Sequence, residues 1–334
     1  MEKARGRTRR RRVLKVLAGL VIAWLVADKA VAIVKPAPTV GHWRSQDGYR
    51  AYRAAYDAVM DTMPKPTRTH EVRTSYGSVR VYEWTADADA PTDRLPVVMV
   101  PGIRSGAPMW NENLRHWLGK RTLYTMDAVG DAGLSTQAIP LTSYDDQGHW
   151  VEEVLAGLQL DRVHMLGHSF GGATATIHSL RHPKRVASLT LLEPVMVLHG
   201  LPASTYLWST MLLLPVPQSW KDRGLAEIGG TSVAEVRKRT PMSVMIDEGS
   251  KHYSSVTVMP RTLTDEEWQS MPMPIRTEIA SDKSLTGGTE AAERAKALKK
   301  GPVTVRPNTT HSLPMQAADI LGPELEQYWE QHDR

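Results

Sequence analysis

The chain of 334 residues contains no cysteine. That absence excludes disulfides, thiolate metal sites and a cysteine nucleophile together. It leaves the compartment open, because a chain this long buries enough apolar surface to fold without covalent staples. A surplus of positive charge is lacking once the first residues are set aside. Residues 1–35 hold ten Lys or Arg against Glu2 and Asp28, a local surplus of +8 against +5 for the whole chain, so the remainder carries −3. A mildly acidic body lacks the basic footprint of a nucleic-acid binder, and no nucleic-acid partner is expected. The sequence also lacks internal repeats and low-complexity segments other than one arginine run.

That run belongs to a distinct segment, residues 1–35. Arg9 to Arg12 precede a twelve-residue apolar stretch, Val16 to Ala27, and Asp28-Lys29 then interrupt before Ala30-Val31-Ala32. A positive start, a short apolar centre and a small-residue pair fit an export signal. Arg10-Arg11-Arg12-Val13-Leu14-Lys15 resembles a twin-arginine signal, with Arg9 where Ser or Thr is usual. An uncleaved anchor over 13–34, or a basic helix lying on anionic lipid, are the other readings. All three place the protein at a membrane, and the first two put residues 36–334 on its outer side.

Residues 36–69 read as a linker, Pro36-Ala37-Pro38-Thr39, followed by an amphipathic helix over 45–63 with Tyr49, Tyr52, Tyr56, Val59 and Met60 at helical spacing. Glu71–Ser75 and Val79–Thr85 alternate around Tyr76-Gly77-Ser78 and predict a β-hairpin. Val97–Val100, Thr122–Met126, Val163–Leu166 and Leu189–Leu192 are continuous apolar runs. Helix-like segments follow the first three, at about 108–119, 145–158 and 170–181. Runs without alternation, separated by crossovers, predict buried parallel strands. Residues 194–272 break the rhythm with two helix-like pieces and no clear strand. The alternation resumes with a strand at Pro274–Ala280, a helix at 289–299, a strand at Val303–Arg306 and a last helix at 315–330. The fold class is therefore α/β.

Gly167-His168-Ser169-Phe170-Gly171 reads G-x-S-x-G, with a strand before it and a helix after it. In that context the serine stands on a sharp turn, strained and closely packed, so that only glycine fits beside it. Such a nucleophile elbow exposes the Ser169 hydroxyl and points the following N–H at the same place.

With this elbow in this order of elements, residues 70–330 resemble the α/β-hydrolase fold family. The resemblance implies a mostly parallel central sheet flanked by helices, with a core at 70–193 and 273–334 and a helical lid inserted at 194–272. It implies a Ser, acid, His triad in that chain order. Ser169 is then the nucleophile and His311, just past the strand 303–306, the general base. Asp282, just past the strand ending at Ala280, is expected to orient the imidazole. Glu193, ending the run Leu189–Leu192, is the alternative acid, because some relatives carry it there. The oxyanion hole falls to the backbone N–H groups of Phe170 and Ile103, the latter on the loop Pro101–Gly106. Relatives usually have His-Gly where Pro101-Gly102 stands. Asp127 to Ser135 resembles the family's D-x-x-G-x-G-x-S loop with one extra residue between the glycines, and its expected role is structural.

Three neighbouring residues have plainer readings. His168 is expected to pack away from Ser169. His164 and His168 lie four apart on a strand without an acidic or thiol partner, a poor metal pair, and neither metal nor organic cofactor is expected. Arg104 faces either an anionic substrate group or a surface partner, Asp131. A serine at the elbow with a histidine partner suits acyl transfer. The leading expectation is a carboxylic-ester hydrolase acting on a small-molecule ester under an apolar lid. The alternatives are a membrane-surface lipase or thioesterase, and a non-catalytic ligand-binding protein on the same fold.

Overall fold

The structure, a computed structural model, describes residues 40–214, 216–256 and 258–334. Residues 1–39, on which the expected signal or anchor falls, lie outside the described residues. The strands in chain order are β1 (His42–Trp43), β2 (Arg68–Thr74), β3 (Gly77–Trp84), β4 (Val97–Val100), β5 (Leu123–Met126) and β6 (Thr136–Gln137). They continue with β7 (Val163–His168), β8 (Val186–Leu192), β9 (Tyr253–Ser254), β10 (Ile275–Ala280) and β11 (Val303–Arg306). The helices are α1 (Gln46–Met60), α2 (Asn111–Leu114), α3 (Tyr144–Gly157), α4 (Phe170–Arg181), α5 (Ala203–Leu213) and α6 (Gln218–Ile228). After them come α7 (Val233–Arg237), α8 (Pro241–His252), α9 (Asp265–Ser270), α10 (Gly288–Leu298), α11 (Leu313–Gln316) and α12 (Ala318–Glu330).

Every residue of β4, β5, β7 and β8 is buried, as continuous apolar runs require of strands covered on both faces. The main sheet runs β11-β10-β8-β7-β4-β5-β3-β2, with β6 attached to β3. Its centre is parallel, and the hairpin β2–β3 joins it antiparallel through β5. Alternate residues of β4 divide between two cores. Val97 and Met99 pack with Trp110, Trp117 and Trp329, whereas Val98 and Val100 pack with Trp150 and Ile177. This is the period of two that places successive side chains on opposite faces of a sheet.

The expected hairpin, the amphipathic helix and the crossover helices α3 and α4 all form. Helix α1 begins at Ser45, whose hydroxyl accepts the Gly48 N–H, and buries Tyr52, Ala55, Tyr56 and Val59. The segment expected as a helix over 108–119 is instead a 3-10 turn, Ala107–Trp110, running into the single turn of α2. Among its described residues the interval 194–272 carries five helices, α5 to α9, rather than two, together with β9, which pairs with β1. A strand of two residues leaves no periodic trace in a sequence. No helix among the described residues is long and apolar enough to cross a membrane.

Candidate active site

Parallel strands deliver their following loops to one edge, and five such loops meet here. The loop after β4 brings Ile103, β7 brings Ser169, β8 brings Glu193, β10 brings Asp282 and β11 brings His311. Ser169 has φ 55° and ψ −124°, a left-handed conformation that costs energy and is held by its surroundings. The elbow glycines are required by close approach. A Cβ on Gly171 would stand 2.3 Å from the carbonyl oxygens of Val100 and Pro101, and one on Gly167 would stand 2.5 Å from that of Gly171. Ser169 makes no side-chain cap on α4, which leaves its hydroxyl for another partner.

That partner is His311. Its Nε2 lies 2.9 Å from Ser169 Oγ, and its Nδ1 lies 3.1 Å from Glu193 Oε2. With Nδ1–H donating to the carboxylate, Nε2 is left to accept the serine proton. Glu193 is wholly buried, and both oxygens are used. Oε1 accepts the Ala280 N–H and the Ser284 hydroxyl, each at 2.8 Å, and Oε2 accepts the Leu285 N–H at 3.0 Å as well as His311. Four donors compensate the cost of burying the carboxylate and fix its direction.

Asp282 does not reach the histidine, which corrects the expectation that it orients the imidazole. It is exposed, and its carboxylate takes the neighbouring Ser281 hydroxyl. The reason lies in the backbone. The N–H groups of Ser281 and Asp282 donate to Arg306 and Thr309, so the chain continues alongside the loop after β11 and the side chain points outward. Glu193, on the neighbouring strand, occupies the place instead.

His168 packs as expected and does more. Its Nε2 donates to the His311 carbonyl oxygen at 2.9 Å, and the two rings lie 4.9 Å apart. Burial first, and the nearby His311 second, push its pKa down to about 3, so it stays neutral at any working pH. His164 belongs elsewhere, bonded to Ser188 Oγ and Asp333 Oδ1.

The N–H of Phe170 opens α4, where it has no intrahelical acceptor. Ile103 and Phe170 both line one narrow cleft. Val100, Val129, Leu141 and Val256 give the cleft apolar walls, and Gln147, Thr174 and Asp131 give it polar ones. Gly102 abuts the nucleophile, since a Cβ there would be 3.2 Å from Ser169 Cβ. Asp127 shapes the loop region as expected. It accepts the Ala107 N–H at 2.8 Å and the Leu134 N–H at 2.7 Å.

The surface pair expected between Arg104 and Asp131 takes another form. Asp131 is buried and accepts the backbone N–H of Arg104, while the guanidinium reaches Ser250 Oγ at 3.3 Å. One contact was invisible in the sequence. The turn after α6 covers the histidine, with the Ser312 hydroxyl donating to Gly229 O at 2.8 Å and Gly230 packed against Thr310 and His311. Ser169 and His311 are accordingly only 6 % and 8 % exposed.

Comparison with known proteins agrees with this architecture. The family model described as alpha/beta hydrolase fold matches residues 96–197. An uncharacterized carboxylesterase, nap, of Bacillus subtilis is 24 % identical over 291 residues, covering 85 % of this chain and 94 % of that protein. The carboxylesterase YbfK of the same organism is 22 % identical over 286 residues, 84 % of this chain and 93 % of its own. The crystal structure of naproxen esterase from Bacillus subtilis superposes with a TM-score of 0.76 at 21 % identity, covering 85 % of this chain and 99 % of that one. With its parallel sheet, its serine elbow and the loops gathered at one sheet edge, the chain has the α/β-hydrolase fold.

Proposed function

We propose that this protein is a serine carboxylic-ester hydrolase working through an acyl-enzyme on Ser169. The observation that carries the reading is the unbroken relay from Ser169 Oγ through His311 to the buried carboxylate of Glu193. Two full-length relatives that bear the name carboxylesterase support it. As Ser169 Oγ attacks the ester carbonyl, His311 Nε2 takes its proton, and Glu193 stabilises the imidazolium that forms. The N–H groups of Ile103 and Phe170 receive the developing oxyanion. Collapse expels the alcohol, which leaves with the proton from His311. Water then repeats the steps, with His311 as base, and frees the acid and Ser169.

The apolar walls of the cleft and the nearly closed site favour small or medium acyl groups over long chains. Ser169→Ala should lower turnover of p-nitrophenyl butyrate by about 10⁴-fold or more. A fluorophosphonate should add once to the wild type, on Ser169, as read by intact-mass and peptide spectrometry. Full activity in the alanine variant, or no adduct on folded wild type, overturns the reading.

The basic and apolar composition of residues 1–35 supports a second element, attachment to a membrane with the catalytic domain on its outer face. Fractionation of expressing cells, with protease accessibility of the hydrolase domain, tests it. Recovery of the full-length protein in the soluble cytoplasmic fraction overturns it.

A further inference from the structure

The oxyanion loop is a four-residue turn, Gly102 to Ser105, closed by the Ser105 N–H on Gly102 O at 3.3 Å. The Ser105 hydroxyl bonds the same oxygen at 2.6 Å. In a trans peptide the carbonyl and the N–H point in opposite directions. Pinning Gly102 O therefore also fixes the direction of the Ile103 N–H, the candidate oxyanion donor. The next peptide is held by a different group. Its N–H, that of Arg104, donates to Asp131 Oδ2 at 2.5 Å. Arg104 has φ 62°, the left-handed value that a type II turn demands at its third residue and that glycine or asparagine normally supplies. An arginine stays there only if something outside the turn holds it.

We propose that Asp131 is a positioning residue for the oxyanion hole, its carboxylate holding the Arg104 N–H and through it the strained turn that presents the Ile103 N–H. The inference rests on the esterase reading above. Asp131 occupies the loop from Asp127 to Ser135 that is one residue longer than the pattern it resembles, and it meets the loop on which Pro101 replaces the usual histidine. The two departures from the pattern are in contact. Asp131 is 8 % exposed and lines the same cleft as Ile103 and Phe170. Burying a carboxylate is costly unless donors hold it, and the Arg104 N–H is one that does.

The groups facing it are Arg104 on the oxyanion loop, Asp127 on its own loop, Tyr52 on α1 and Tyr253 on β9. Burial outweighs the favourable contacts and pushes its pKa up to about 6. Protonation removes the charge that strengthens the bond to Arg104. Asparagine at 131 imitates the protonated acid, with a neutral acceptor in the same place.

The test compares the full-length wild type, Asp131→Asn and Asp131→Ala with p-nitrophenyl butyrate between pH 5 and 9. At pH 8 kcat should fall about fivefold in D131N and about 50-fold in D131A, with KM within about twofold, as for a weakened oxyanion donor. The wild-type to D131N ratio of kcat, in which titrations common to both enzymes cancel, should approach one as the pH drops below about 6. Because the folded pKa is raised, the charge destabilises the wild type above that pH and is absent from both states below about 4. D131N should therefore melt no lower than the wild type at pH 8, and any advantage should vanish in acid. Wild-type kcat in both variants overturns the proposal. So does a pH-independent ratio accompanied by a lowered Tm, the mark of a merely structural prop. If D131A does not fold, the D131N ratio decides alone. Failure of the esterase reading shows instead as a wild type that neither turns over ester nor takes the fluorophosphonate.

Discussion

Replacing Glu193 by Gln separates the two candidate acids sharply. All four contacts on this carboxylate come from donors: Ala280 N–H and Ser284 O–H on Oε1, Leu285 N–H and His311 on Oε2. An amide must set its NH2 against one of these pairs. If it faces the Oε1 side, the Ser284 hydroxyl can rotate to accept but the Ala280 N–H cannot. If it faces the Oε2 side, His311 Nδ1 must become the acceptor, which puts the ring proton on Nε2 and disables the base. In either arrangement the imidazolium loses its counter-charge. A charge pair near 4 Å at an effective dielectric of 20 amounts to about 4 kcal/mol, or about 10³-fold in kcat. Asp282→Ala removes an exposed carboxylate and should change kcat by less than about twofold. The assay is steady-state hydrolysis of p-nitrophenyl butyrate, with circular dichroism to confirm that both variants are folded. A folded E193Q enzyme within about fivefold of the wild type refutes the assignment. A D282A enzyme depressed by about 10³-fold returns the role to Asp282.

Gly230 lies at φ +64°, and a Cβ there would stand 2.6 Å from Thr310 Cβ and 2.9 Å from His311 N. Gly230→Ala should therefore lower kcat by about tenfold by displacing the histidine loop, while Gly200→Ala, with open space around it, should not; equal kcat in the two refutes this. Near the C-terminus, Asp333 accepts from Leu95 N–H, His164 and the buried Arg121, and these partners hold its carboxyl well below the usual range. Asp333→Asn should cost about 3 kcal/mol in urea unfolding at pH 7 by leaving a buried cation less well paired. Because the folded pKa is depressed, that difference should shrink as the pH falls below about 4; a pH-independent difference refutes the linkage.

Different parts of the site were legible to different degrees, for physical reasons. The nucleophile was plain because an elbow writes all its constraints into five adjacent residues. The two glycines, the strand before and the helix after are local, so tertiary structure adds little. His311 was legible because a loop after the last strand of a parallel sheet has one edge to reach. The helical interval 194–272 showed as a break in rhythm, but its five helices did not, since short helices packed on a domain carry mixed periodicity. The turn at Gly229-Gly230 that covers His311 had no sequence signal beyond its glycines.

The acid is the instructive miss. Strands β8 and β10 are neighbours, with Leu192 opposite Glu278, so Glu193 and Asp282 both emerge at the same edge beside the same histidine. Order along the chain cannot choose between them. What chooses is burial, and burial had left a trace. Glu193 is a lone carboxylate between Leu192 and Pro194-Val195, whereas Asp282 sits in the polar run Ser281-Asp282-Lys283-Ser284. A carboxylate enclosed by apolar neighbours must find several donors or stay un-ionised. The donors at that sheet edge are the N–H groups ending β10 and the imidazole after β11. A carboxylate in a polar loop carries no such obligation and turns to water. The same reasoning applies to Asp131, between Val129-Gly130 and Ala132-Gly133, which was expected as a surface partner of Arg104. Glu193 and Asp131 were both marked by the company they keep in the chain, and each now holds a piece of the site in place: Glu193 the base, Asp131 the turn of the oxyanion loop.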